Sequence, residues 1–276
     1  AMTGAAAWLD MPDGQALRLH DWPLPHARDG VLIVHGLGEH AGRYDALARW
    51  FNALGYAVRS YDQRGHGESP GPRGVLRHAD DLLADLAIVH ADYARTLGAA
   101  PLLLGHSMGG LVALRAVLDG RVAPRALVLS SPALRSHASK ALQLLAATLV
   151  RLVPNLPLRN GLDLAGLSHD PQVAVAYRAD ALCHDRISPR LGDFIFRAGA
   201  ACIADAGRLD TPTLLLVAGD DALVDASGSR DFAAAAPAAR LVTRHFANLY
   251  HELFNEAEPG RGQVLGQLRD WLNARP

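Results

Sequence analysis

Short, mostly apolar runs at residues 31–34, 57–61, 102–104, 126–129 and 214–217 leave this chain few ways to fold. Runs of three to five such residues without polar alternation belong to strands buried on both faces, the habit of parallel sheets. Between them lie helical patterns over 44–54, 79–97 and 108–118, and a further strand at 241–246 precedes a final helix over 263–272. Strand–helix alternation of this kind predicts an α/β fold, a mostly parallel sheet covered by helices on both faces. Ahead of it, residues 8–11 and 16–20 flank a Pro12-Asp13-Gly14 turn and read as a hairpin. The alternation breaks between Pro132 and Leu209, where an apolar segment at 141–153 is followed by Pro154, Pro157 and short helical pieces. The expected organisation is a core of residues 1–131 and 209–276 with a helical cap, 132–208, inserted after the sixth strand.

Charge narrows the function classes. Lys and Arg number 27 against 28 for Asp and Glu, so there is neither the basic excess of a nucleic-acid binder nor a field to steer anionic substrates. Two cysteines, Cys183 and Cys202, are too few for a disulfide framework and imply a reducing, cytoplasmic setting, although a single bridge between them stays open. No uncharged apolar run approaches the roughly 18–20 residues that span a bilayer. Residues 1–14 lack the basic start and apolar core of a signal peptide, and Ala1-Met2 has the look of a cloning scar, which leaves a removed leader open.

The chemistry concentrates at Gly105-His106-Ser107-Met108-Gly109, a G-x-S-x-G element with a strand running in and a helix running out. A sharp strand-to-helix turn strains the nucleophile's backbone and tolerates no bulk two residues to either side, hence glycine at both. It presents the hydroxyl above the sheet, at a helix N-terminus that favours developing negative charge. The plainer alternative, Ser107 as a helix N-cap in a glycine-rich turn, does not need the preceding strand. An α/β-hydrolase takes one oxyanion donor from the amide after the nucleophile, here Met108. The other comes from the loop after an earlier strand, here Leu37 within His35-Gly36-Leu37-Gly38.

That same loop feeds a rival reading. Gly36 to Ala41 satisfies G-x-G-x-x-G/A, and Asp62 lies about twenty residues on, as in a dinucleotide site built from Gly36, Gly38 and Asp62. It would make every downstream catalytic residue a coincidence, and no cofactor is expected. In chain order an acid and then a base should follow the serine. After the run at 214–217 three carboxylates compete. Asp225 precedes a helical run and suits an N-cap; adjacent Asp220 and Asp221 should point apart; Asp221, ahead of the apolar Leu223-Val224 pair, is the expected acid. Of thirteen histidines, His245 lies inside a strand, whereas His251 lies beyond it, where a base would reach the sheet's carboxyl edge. His251-Glu252-Leu253-Phe254-Asn255 begins like a zincin helix but lacks the second histidine, so no metal is expected.

With these residues in view, the chain resembles the monoacylglycerol lipase and lysophospholipase group of α/β-hydrolases, also called the serine aminopeptidase-like family. The resemblance rests on His35-Gly36-Leu37-Gly38-Glu39-His40 with Arg43-Tyr44, on Tyr61-Asp62 through Gly65-His66-Gly67-Glu68-Ser69, and on Gly105 to Gly110. It continues through Gly219 to Asp221, Tyr250-His251-Glu252, and the cap's Leu167-Ser168 and residues 173–181. It implies Ser107, Asp221 and His251 as a triad, the Leu37 and Met108 amides as oxyanion donors, and an acylglycerol or lysophospholipid substrate. One departure is informative: some animal members carry cysteine just before the residue matching Asp225, where this chain has Val224, so thiol-directed inhibition there is not expected.

The segment 138–153, apolar on nearly every face, is read either as a helix packed over the sheet or as a lid that shields an acyl pocket and touches lipid aggregates. Within the triad reading, a general esterase and a serine peptidase remain as alternatives. A peptidase would need an acid to bind a substrate amine, and Asp163, Asp170, Asp180 and Asp185 of the cap are the candidates. A non-catalytic binding protein on the same fold would have no need of all three triad residues.

Overall fold

A computed structural model describes residues 7–275, so the part of the leader reading that falls on residues 1–6 lies outside the described residues. Eight strands form one sheet: β1 (Ala7–Asp10), β2 (Ala16–Trp22), β3 (Asp29–Val34), β4 (Tyr56–Tyr61), β5 (Leu102–His106), β6 (Leu127–Ser130), β9 (Thr213–Ala218) and β10 (Leu241–Phe246). Their spatial order is β1-β2-β4-β3-β5-β6-β9-β10, with β1 and β2 antiparallel and every pairing from β4 to β10 parallel. The N-terminal hairpin thus extends a parallel sheet.

The lack of polar alternation in the central strands has a direct cause. Leu32, Val34, Leu103, Leu129, Leu215 and Val217 face one core, while Val31, Ile33, Leu104, Val128, Leu214 and Leu216 face the other. The first core is closed by α2 (Asp81–Leu97), α3 (Met108–Leu118) and α6 (Pro189–Ala204); the second by α1 (Asp45–Ala53) and α8 (Gly260–Ala274). Helix α7 (Ala226–Ala235) follows β9 and buries Phe232 in the first core.

The chain between β6 and β9 holds α4 (Lys140–Leu152), the two-residue strands β7 (Leu158–Arg159) and β8 (Arg186–Ile187), α5 (Pro171–Ala179) and α6. These behave differently. Helix α6 sinks Leu191, Phe194, Ala198 and Cys202 into the core beneath α3. Helix α4, capped by Ser139 through the Leu142 amide, buries none of its residues and rests on α6, not on the sheet. Leu144 and Leu152 are 70% and 72% exposed. The simple packing-helix reading of this segment is therefore not what the structure adopts. Cys183 and Cys202 are both free. Among the described residues no helix is long and apolar enough to cross a membrane.

Helix α3 lies unusually close to β3, because a Cβ on Gly109 would collide with the carbonyl oxygens of Val34 and His35. Gly109→Ala should force α3 away from the sheet and cost about 3 kcal/mol, as overpacking does. Urea unfolding checks this; a midpoint unchanged from the wild type would mean that the contact is not tight.

Candidate active site

Strand β5 delivers Ser107 to the carboxyl edge of the sheet, at the first turn of α3. Its backbone sits at φ 56°, ψ −120°, a region that a side-chain-bearing residue occupies only under strain. Three bonds hold the turn there: Ser107 N–H donates to Ser130 O at 2.9 Å, and its carbonyl accepts the Leu111 and Ala133 N–H groups, both at 3.0 Å. A Cβ on Gly105 would strike Gly109 O, so neither flanking glycine can be replaced without opening the turn.

The ends of β9 and β10 bring the other two residues to the same spot. Asp220 N–H donates to Leu249 O at 3.1 Å, which fastens the loop after β9 to the loop after β10. Asp221 Oδ2 lies 2.7 Å from His251 Nδ1, and His251 Nε2 lies 2.9 Å from Ser107 Oγ. A proton on Nδ1, donated to the carboxylate, leaves Nε2 free to accept the serine O–H. The other Asp221 oxygen accepts the Leu223 and Val224 amides, both at 2.9 Å, so the acid cannot rotate away. Ser131 Oγ–H holds the His251 carbonyl at 2.8 Å.

Electrostatics follow from burial and neighbours. Burial alone would depress the His251 pKa, but Asp221 beside it, helped by Glu252 and Glu39, more than reverses this and raises it above the ordinary histidine value. Burial works to raise Asp221, and the adjoining His251 with the two amides holds it below the usual carboxylate range. His106, whose ring lies 4.8 Å from that of His251, is pushed down to about 4 by burial and by His251, and is neutral at pH 7.

The other sequence candidates have different occupations. Asp225 caps α7 through the Ser227 amide at 2.9 Å, as its position suggested. Asp220 and His245 are exposed. Asp62 is fully buried, one oxygen taking the Ala41 amide and the other the Glu68 amide and His20 Nε2, so it fastens two loops and offers nothing to a ribose. The dinucleotide reading fails on that point. Asp163 and Asp170 cap short helices, Asp180 accepts His40 Nε2 and the Leu182 amide, and Asp185 pairs with Arg159 and Arg186.

Leu37 and Met108 flank the serine, and neither amide donates a hydrogen bond among the described residues. Two cavities meet at this point. One, of about 630 Å³, is mainly apolar and runs between Met108, Val224 and Phe196 on one side and Leu142, Leu145 and Leu149 of α4 on the other. The second, of about 270 Å³, is mixed, with Glu39, Asp163, Asp185 and Glu252 beside Leu162, Leu164 and Leu167 in its lining. Ser107 and His251 face both.

Sequence reasoning assigned no role to Glu39, Arg43 and Glu252, although they stand within its motifs. Arg43 bridges the two carboxylates at 2.7–2.8 Å beside His106. Glu39, His106 and Glu252 lie close enough to ligate a cation, but the guanidinium already occupies the carboxylates. Glu256 was also missed. It accepts the Tyr250, His169 and Ala257 amides, Ser168 Oγ–H and the His169 ring, and so joins the His251 loop to the chain between β6 and β9. A lone glutamate five residues past a histidine carries no signal that could have singled it out.

Comparison with known proteins identifies the family. The model of the family described as "Serine aminopeptidase, S33" matches residues 25–258. The monoacylglycerol lipase of Mycolicibacterium smegmatis is 34% identical over 251 residues, 89% of this chain and 88% of that protein. The monoglyceride lipase of Rattus norvegicus is 31% identical over 272 residues, 95% and 88% of the two chains. Among solved structures, the monoacylglycerol lipase of Paleococcus ferrophilus superposes with a TM-score of 0.86 at 34% identity, covering 93% of this chain and 98% of that one. The chain belongs to the serine aminopeptidase S33 family and has its α/β-hydrolase fold.

Proposed function

We propose that this protein is a serine carboxylic ester hydrolase that cleaves single-chain acyl esters, monoacylglycerols foremost, through an acyl-enzyme. The observation that carries the reading is the Ser107–His251–Asp221 relay at the junction of a large, mainly apolar cavity and a smaller one with four carboxylates in its lining. The acyl chain lies along α4, and the alcohol portion sits against Glu39 and Glu252. His251 takes the serine proton as Oγ attacks the carbonyl carbon; Asp221 stabilises the imidazolium that forms. The carbonyl oxygen, now anionic, meets the Leu37 and Met108 amides. The imidazolium then protonates the departing alcohol, and water attacks the acyl-enzyme by the same route in reverse. No cofactor takes part.

The smaller cavity favours a neutral head group. Glu39, Glu252, Asp163 and Asp185 stand against Arg43 and Arg178 and the two partners of Asp185, Arg159 and Arg186, and His184, pushed down to about 4 by burial, adds no charge at pH 7. Acids and guanidiniums balance there, with no cation surplus to hold a phosphate, which places lysophospholipids behind glycerol esters. The monoacylglycerol lipases among the relatives support glycerol esters as substrates. In this reading residues 132–208 serve as the cap, and the exposed Leu142, Leu144, Leu145 and Leu152 of α4 touch lipid aggregates during substrate entry. Two free thiols fit a cytoplasmic setting.

With monoacylglycerols of increasing length, kcat/KM should rise by up to about fourfold per added methylene until the cavity is filled, from the roughly 0.8 kcal/mol each buried methylene contributes. Ser107→Ala should lose at least about 10⁴-fold in kcat. Cleavage of short esters alone would make the protein a general esterase, and an active Ser107→Ala would remove the nucleophile. The acid limb has a defined sign. His251 must be neutral to act, so the wild-type rate falls as pH drops through a pKa above the ordinary histidine value. In Asp221→Asn that limb should move to lower pH while the plateau falls about 10⁴-fold; a limb that stays in place would mean that Asp221 does not set the charge state of His251.

A further inference from the structure

Three charged side chains packed beside His251 have no part in the relay, and their arrangement points to one. Arg43 Nη1 lies 2.8 Å from Glu39 Oε1 and 2.7 Å from Glu252 Oε2, while its Nη2 lies 2.8 Å from Glu252 Oε1. The side chains are 12%, 4% and 5% exposed, and the guanidinium lies 4.9 Å over the Tyr177 ring. The remaining Glu39 oxygen accepts the Gly36 amide and the Tyr44 hydroxyl, both at 2.8 Å. Glu252 directly follows His251, and Gly36 directly precedes Leu37. A single guanidinium therefore joins two segments 209 residues apart in the chain, one carrying the base and the other an oxyanion donor.

We propose that Arg43 is a positioning residue that clamps the Leu37 loop to the His251 loop, so that oxyanion donor and base are held in register by one planar fork. The proposal rests on the ester-hydrolase reading above. The chemistry needs arginine: a planar donor set can serve two carboxylates at once, whereas a lysine ammonium supplies the charge without the fork. The clamp also sets a charge. Two carboxylates and one guanidinium leave a net −1 buried beside the imidazole, and Glu39 and Glu252 both favour its protonated form. The groups facing His251 are Asp221, His106, Ser107, Glu39 and Glu252, with Arg43 behind the last two.

Charge and geometry separate in a four-variant series, read as kcat, KM and the acid limb of the pH profile on a medium-chain p-nitrophenyl ester. Arg43→Lys should lose about tenfold or more in kcat with KM within about twofold and the acid limb in place. Arg43→Met should add a shift of that limb to higher pH, since two carboxylates are then uncompensated. Glu252→Gln should shift it to lower pH. Arg43→Met with Glu252→Gln returns the buried charge to −1, and should restore the limb without restoring kcat. Because Arg43→Met leaves buried carboxylates unpaired and can fail to fold, Glu252→Gln and the double variant carry the test in that case. Unmoved limbs, a loss confined to KM, or wild-type kcat in Arg43→Lys would each overturn the clamp. An inert wild type would instead overturn the ester-hydrolase reading.

Discussion

Everything at the site hangs on one strained turn. Ser107 is held at positive φ because β5 must enter and α3 must leave within a single residue, and no side chain fits beside it at positions 105 or 109. Strain of this kind costs of order 1–3 kcal/mol and persists only where the surroundings over-determine it. Here they do: three backbone bonds fix the turn, and α3 is pressed against β3. The same compression places the Met108 amide at the head of α3 and the Leu37 loop at the end of β3, on either side of the hydroxyl.

Around that turn the charges form nested pairs. His251 is fully enclosed yet becomes the more readily protonated group, because Asp221 lies 2.7 Å from its ring and two amides in turn fix Asp221. Arg43 holds Glu39 well below the usual carboxylate range against the opposing effect of its burial, so a carboxylate remains ionised inside the protein. Buried ion pairs add little to stability on balance, since desolvation offsets attraction. Their value at this site is in fixing geometry where loops meet.

How legible this was depends on how local each signal is. The strand runs were readable because both faces of β3, β5, β6 and β9 are covered, and Ser107 because one turn demands glycine on both sides within five residues. Asp221 and His251 required only chain order and their places beyond β9 and β10. Glu39, Arg43 and Glu252 stand in the motifs too, but their role depends on a contact between segments 209 residues apart, which no local pattern records. For α4 the pattern was ambiguous in principle: a helix apolar on most faces can be buried or can shelter a cavity, and only its position on α6 decides. Asp62 shows the converse. A six-residue glycine pattern with an acid some twenty residues on is met equally well by a carboxylate that simply ties two loops together.

The central claim is that burial and Asp221 make His251 the base that activates Ser107. It is tested most directly by treating the protein with a fluorophosphonate bearing a long alkyl chain and locating the adduct by intact and peptide mass spectrometry. The account predicts one stoichiometric adduct on Ser107, formed with loss of fluoride, rising with pH through the His251 pKa and absent from His251→Ala. An adduct on another serine, or equal labelling of His251→Ala, would contradict it.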